Sequence, residues 1–130
     1  MRYLVTGSQM RAIDQDTIQN IGIPSLVLME RAAECVARKA EQLCDQKTLQ
    51  ILTICGVGNN GADGVAAARM LYLHGFDVLV VVVGNEAHAT KEFEVQKGIA
   101  EKLEIPVVDW EHFLHGEDEQ KAGDCAIIDA

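Results

Sequence analysis

The stretch that decides the fold runs from Leu49 to Leu71: LQILTIC over residues 49–55, GVGNNGADG over 56–64 and VAAARML over 65–71. The first piece is dominated by β-branched residues and is followed by turn residues, so it reads as a mostly buried strand. The second is a glycine-rich loop. The third carries Ala66, Ala67, Met70 and Leu71, and reads as a helix opened by Ala62 or Asp63 and ended near Gly75. A strand that turns through glycines into a helix aims backbone amides and the helix N-terminus at one spot. Such a turn favours phosphate or another anion. Glycine also permits positive φ and close approach of a ligand to the main chain.

The same alternation continues on both sides. Val78–Val83 is a continuous apolar strand, of the kind covered on both faces in a parallel sheet. Thr90–Leu103 reads as a helix with Phe93, Ile99 and Leu103 as its apolar members. Ile105–Val108 is a short strand, His112–Gly123 a polar surface stretch, and Cys125–Asp129 (CAIID) a fourth strand. Upstream, Ser8 is a candidate N-cap for a short helix with Met10, Ile13, Thr17 and Ile21 on one side, broken by Gly22-Ile23-Pro24. From Ser25 to Leu43 the apolar positions Leu26, Met29, Ala33, Val36, Ala40 and Leu43 make the clearest helical stripe. Glu30, Arg31, Glu34, Arg38 and Glu41 take the wet side. Strands alternating with helices predict an α/β fold with a parallel sheet. The sequence closes on a strand with no helix after it, which leads us to expect part of a longer domain.

Composition narrows the function. The chain has 130 residues, about one domain, with 11 Lys+Arg against 20 Asp+Glu and a net charge of −9. That acidity argues against nucleic acid or an anionic membrane as general partner, since both need a basic footprint. An anionic small ligand is still compatible, because backbone N–H groups can hold it. No apolar run is long enough to span a membrane, and the N-terminus MRYLVTGSQMR lacks a signal-peptide pattern. Cys35, Cys44, Cys55 and Cys125 show no CxxC or zinc spacing, so reduced, structural cysteines in a cytoplasmic protein are expected.

The glycine loop fits neither the dinucleotide pattern GxGxxG nor a Walker loop. Its glycines fall at Gly56, Gly58, Gly61 and Gly64, and no Lys-Ser/Thr follows. Asn59 and Asn60 offer amide donors to a ligand and carbonyl oxygens to a hard cation. Asp63 reads either as a ligand contact or as a cap for free helix N–H groups. In a doubly wound sheet, ligands bind outside the carboxyl ends of the strands, where strand order reverses. If the first three strands progress outwards, the fourth returns beside the first and brings Asp129 next to Asn59 and Asn60. There Asp129 is either a cation ligand or a solvated strand end.

With these residues in hand, the run GVGNNGADGVAAARML (56–71), preceded by IGIPSLVLMERAA (21–33) and followed by IIDA (127–130), resembles the YjeF N-terminal domain, the NAD(P)HX epimerase family of metabolite repair. The resemblance covers nearly the whole chain from Met10 to Ala130. It implies a Rossmann-like three-layer α/β/α sandwich, of which residues 1–130 are the N-terminal portion. It implies interconversion of the R and S epimers of hydrated NADH and NADPH, so that an S-specific dehydratase can restore the cofactor. It also implies a homodimer, one potassium ion per subunit, and an ADP- or ATP-dependent dehydratase as separate or fused partner. The family's substrate-binding stretch corresponds here to Asn59, Asn60, Gly61, Ala62 and Asp63, and its potassium ligands to Asn60 and Asp129.

Two departures stand out. Ala62 replaces the usual second glycine, which is harmless at negative φ and strained otherwise. The family also continues after IIDA with a GxGL-type loop, a further Asp and a DIPSG-type motif, none of which is in this sequence. Chemistry at C6 of the hydrated nicotinamide needs a group to exchange protons near neutral pH. The sequence alone assigns no general acid or base: His74 lies near a helix end before Gly75, and His88, His112 and His115 fall in polar stretches, the last two read as solvent-exposed. The alternative function is a non-catalytic binding or dimerisation module of the same fold, as in mRNA-decapping scaffolds. The intact Asn-Asn…Asp loop and Asp129 favour the enzyme.

Overall fold

A computed structural model describes residues 4–44, 50–116 and 125–130. In order, the chain forms α1 (Gly7–Asp16), a π-helical turn (Thr17–Ile21), α2 (Ser25–Leu43), β1 (Gln50–Gly56), α3 (Asn59–Leu73) and β2 (Asp77–Val83). A 3₁₀ turn (Glu86–His88), α4 (Lys91–Lys102), β3 (Val107–Asp109), α5 (Trp110–His115) and β4 (Cys125–Asp129) follow. Leu49 and residues 117–124 of the expected elements lie outside the described residues.

The strands make one parallel sheet in the order β3-β2-β1-β4. The first three step outwards and the fourth returns beside the first, as the topology argument requires. Stepping one way through right-handed crossovers keeps α3 and α4 on one face, where α3 packs against both α2 and α4. The step back from β3 to β4 sends α5 to the other face, against β2 and β3. The result is the expected Rossmann-like α/β/α layering. Ile51, Cys55, Val78, Val80 and Val82 pack with Ala62, Val65, Ala66 and Leu71 of α3 and Phe93 of α4 in the main core. Among the described residues no helix is long and apolar enough to cross a membrane.

Several local expectations are corrected. The cap of α1 is Thr6 rather than Ser8: the Gln9 N–H donates to Thr6 Oγ1 (3.3 Å) and the Thr6 N–H to Gln9 Oε1 (2.8 Å). That capping box needs Gln three residues beyond the hydroxyl, and only Thr6 has it. The buried row of α2 is Met29, Ala33 and Ala37, while Leu26 and Val36 are exposed and Leu43 is 71% exposed. The alanine-rich face of α3 lets α2 approach closely, and small residues serve that contact better than the larger ones of the expected stripe. Glu30, expected on the wet side, takes hydrogen bonds from Arg69 of α3 and from Gln96 of α4 (3.3 Å). Gln96 and Ala100, not Ile99, are buried with Phe93 in α4. The third strand starts at Val107 rather than Ile105. The first part of the expected surface stretch is α5, begun by Asp109, whose side chain accepts from the His112 N–H (2.7 Å).

The sharpest constraint is at Gly61. A Cβ there would come 1.7 Å from the carbonyl oxygen of Gly56, because the first turn of α3 stands directly on the end of β1. At Gly58, by contrast, a Cβ would meet nothing within 4 Å. Gly61→Ala is therefore expected to cost upwards of ~3 kcal/mol, beyond the usual overpacking range, and Gly58→Ala under about 1 kcal/mol. Denaturant midpoints of the two variants against wild type measure the contrast. Equal effects would contradict the seating of α3 on β1.

Candidate functional site

Helix α3 begins earlier than its sequence suggests, at Asn59, so both asparagines lie in its first turn and not in the loop. The N-cap is Gly58, extended at φ −92° and ψ −168°, and no side chain caps it. The Ala62 N–H reaches the Gly58 carbonyl (3.0 Å), which leaves the N–H groups of Asn59, Asn60 and Gly61 without intrahelical acceptors. These point out at the carboxyl end of the sheet, beside the strand β1 that reverses the order, and they carry the positive end of the helix dipole. Asp63 sits a full turn further on and is not a cap. Ala62 lies in the helix and is fully buried in the core; Glu104 alone among the described non-glycine residues has positive φ, so the extra Cβ is unstrained.

Beside this helix start is a cavity of about 220 Å³. Asp14 of α1, Ser25 and Met29 of α2, Asn59 and Asp63 of α3, and Glu92 of α4 all line it. Two bonds bring α4 there. The Thr90 N–H donates to the Val57 carbonyl (3.0 Å), and the Ser25 hydroxyl donates to Glu92 Oε1 (3.0 Å). Partial burial, and next the negative charge of Asp14, hold the Asp63 carboxyl above the ordinary aspartate range. Asp14 and Glu92 also line this cavity, and the sequence alone did not single them out. Asp14 falls on the polar side of a short amphipathic helix, and only the packing of α1 reveals it.

Asp129 pairs with Ile54 in the register of β4 on β1. The Ala130 N–H donates to Ile54 O (2.9 Å) and the Gly56 N–H donates to Ala130 O (2.8 Å), so β4 ends alongside the start of the loop. A Cβ on Gly64 would fall 2.6 Å from Ala130 Cβ and 2.9 Å from Cys55 Sγ, so Ala130 faces α3. Strand alternation then turns Asp129 to the opposite face of the sheet. Asn60 and Asp129 are both exposed, and neither lines the cavity. The structure thus brings Asn59 and Asp63 into one cavity, uses Gly61 and Ala62 for packing, and sets Asn60 and Asp129 at the same end of the sheet. Cys55 is structural: burial pushes its thiol up to about 12. Cys35, Cys44 and Cys55 are free, His88 is exposed, and His112 and His115 are exposed as expected. His74, also exposed, pairs with Glu41.

Comparison with known proteins agrees with this picture. Residues 25–130 match the family described as YjeF-related protein N-terminus. An NAD(P)H-hydrate epimerase of Limosilactobacillus fermentum is 48% identical over 103 residues, 79% of this chain and 49% of that protein. One of Lentilactobacillus buchneri is 41% identical over 111 residues, 83% of this chain and 50% of that protein. The chain spans about half the length of the curated relatives it matches. The crystal structure of yeast ynu0, YNL200c, shares the fold at a TM-score of 0.76 and 24% identity, over 85% of this chain and 49% of that one.

The raised Asp63 carboxyl has a consequence for stability. Such a group favours the folded state in its protonated form. That contribution is present below the unfolded aspartate pKa of about 3.9 and is lost as pH rises through the raised folded value. Asp63→Asn should therefore have a melting temperature equal to or above wild type at pH 7, with the difference closing towards pH 4. A melting temperature clearly below wild type at pH 7 would show that the carboxylate stabilises the fold and would contradict this account.

Proposed function

The chain belongs to the YjeF-related N-terminal family, and on that premise we propose that it acts as an NAD(P)H-hydrate epimerase, interconverting the R and S forms of NADHX and NADPHX. The observation that carries this reading is the Asn59–Asp63 element, folded as the first turns of α3 with Asn59 and Asp63 in one cavity. The free amides of that turn and the helix dipole suit an anionic dinucleotide. The amide of Asn59 and the carboxyl of Asp63 suit the hydrogen-bonding groups of its hydrated ring.

A potassium ion belongs to the same proposal. Asn60 offers an amide carbonyl and Asp129 a carboxylate, both exposed at the carboxyl end of the sheet, and both are the hard oxygen donors such a cation takes. When bound, the ion would supply fixed positive charge at that end of the sheet. A homodimer, a cytoplasmic setting and an ADP- or ATP-dependent dehydratase as separate or fused partner complete the reading. The free cysteines are compatible with a reducing compartment.

The decisive measurement is conversion of R-NADPHX by the full-length protein, coupled to an S-specific dehydratase, in potassium and in sodium buffer, with spontaneous epimerisation subtracted. Conversion above background, higher in potassium, is expected. Asn60→Ala and Asp129→Ala should each raise the potassium needed for half-maximal rate at least ~10-fold, the scale on which a metal site responds to altered coordination. An unchanged potassium dependence in both variants would remove them from the ion site. No conversion by well-folded protein would favour the binding-module alternative.

A further inference from the structure

The epimerase reading leaves the proton donor and acceptor unassigned, and the inference drawn here rests on that reading. The cavity at the start of α3 offers carboxyl groups from separate helices: Asp14 on the α1 wall, Asp63 on the α3 wall and Glu92 on the α4 wall. Among the described residues they are the titratable groups that line it. The other walls supply Ser25, Leu28, Met29 and Ala32 from α2, Ile18 from the π-helical turn and Asn59 from α3. Glu92 is already engaged, accepting the Ser25 hydroxyl at 3.0 Å. Met29 is 7% exposed and gives the cavity an apolar floor.

We propose that Asp14 and Asp63 are the acid–base pair that carries the R-to-S exchange at C6 of the hydrated ring. Asp63 as the carboxylic acid gives its proton to the C6 hydroxyl. The C6–O bond breaks, water departs, and the lone pair of the ring nitrogen forms a C6=N double bond. Water then adds to C6 from the other face and gives up a proton to the Asp14 carboxylate. One C–O bond breaks and one forms, one proton leaves Asp63 and one arrives on Asp14, and no electron changes hands. The pair resets by passing that proton back through solvent, which reaches the exposed Asp14. In the S-to-R direction the two exchange roles.

The electrostatics fit the division of labour. Partial burial, and next the charge of Asp14, both favour the protonated form of Asp63, which suits it to the acid's role.

The test uses the full-length protein with R-NADPHX and compares Asp14→Asn, Asp63→Asn, Asp14→Glu and the control Asp16→Asn, which makes the same charge change on α1 outside the cavity. Circular dichroism and melting temperature establish that each variant is folded. Asp14→Asn and Asp63→Asn should each lower kcat by ~100-fold, the low end of general acid–base catalysis, with KM changed by less than about threefold. Asp14→Glu should recover part of the rate, and Asp16→Asn should match wild type. In Asp14→Asn the residual activity should lose its alkaline limb at lower pH, because removal of the Asp14 charge lets Asp63 ionise sooner. A merely structural role would not move that limb. If wild type epimerises and folded Asp14→Asn keeps kcat within twofold with an unmoved pH profile, the pair is wrong and the epimerase reading stands. If folded wild type does not epimerise, both fall together.

Discussion

Everything at the functional end of this molecule depends on one contact, the first turn of α3 seated on the last residue of β1. The Gly56 carbonyl occupies the space that a Cβ on Gly61 would need. One turn along, Gly64 lies against Cys55 of β1 and Ala130 at the end of β4. The helix is thus clamped to two neighbouring strands by the absence of side chains. The clamp fixes where its free N–H groups point, and it carries the end of β4 into the same packed unit. The glycines of the loop do here for the chain what glycines in dinucleotide folds do for a ligand: they admit a second backbone.

The helical face is held by a different kind of interaction. Glu30 of α2 accepts from Arg69 of α3 and Gln96 of α4, so one carboxylate joins the helices that also line the cavity. Arg69 Nε and Gln96 Oε1 are buried without a partner, so the network is incompletely satisfied. Partly buried ion pairs add little net stability, yet losing one member strands the other's charge. Such a network constrains the relative register of helices more than it deepens the fold. Here the register matters, because Met29 adjoins Glu30, and Glu92 stands one turn before Gln96.

The sheet order, the crossover of β4 and the span of α2 were legible because each rests on a strong period or on a topological rule. The apolar run 78–83 and the stripe of α2 leave little choice of element, and the return of β4 beside β1 follows from the doubly wound pattern once the first three strands step outwards. What failed was face and boundary. Whether Leu43 or Ala37 is buried is decided by the partner helix, whose alanine face is a tertiary fact. The start of α3 was misplaced because asparagine and glycine read as loop formers, and tertiary seating overrode that preference. Asn59 and Asp63 stood out by motif and position, whereas Asp14 and Glu92, which line the same cavity, did not. No local pattern tells an acidic residue on a surface helix from one that another element will turn into a cavity wall.

The charge balance acquires a more specific meaning once the site is placed. A chain at −9 repels an anionic ligand over most of its surface. The free N–H groups of Asn59, Asn60 and Gly61 are a local exception, and they adjoin a cavity lined by three carboxyl groups, Asp14, Asp63 and Glu92. Phosphate is favoured at the amides and disfavoured among the carboxyls, while amide and hydroxyl donors are welcome there. A molecule that carries phosphates at one end and hydrogen-bond donors at the other can satisfy both, and in one orientation only. The same acidity that argues against nucleic acid as a general partner would also set the direction in which a dinucleotide enters.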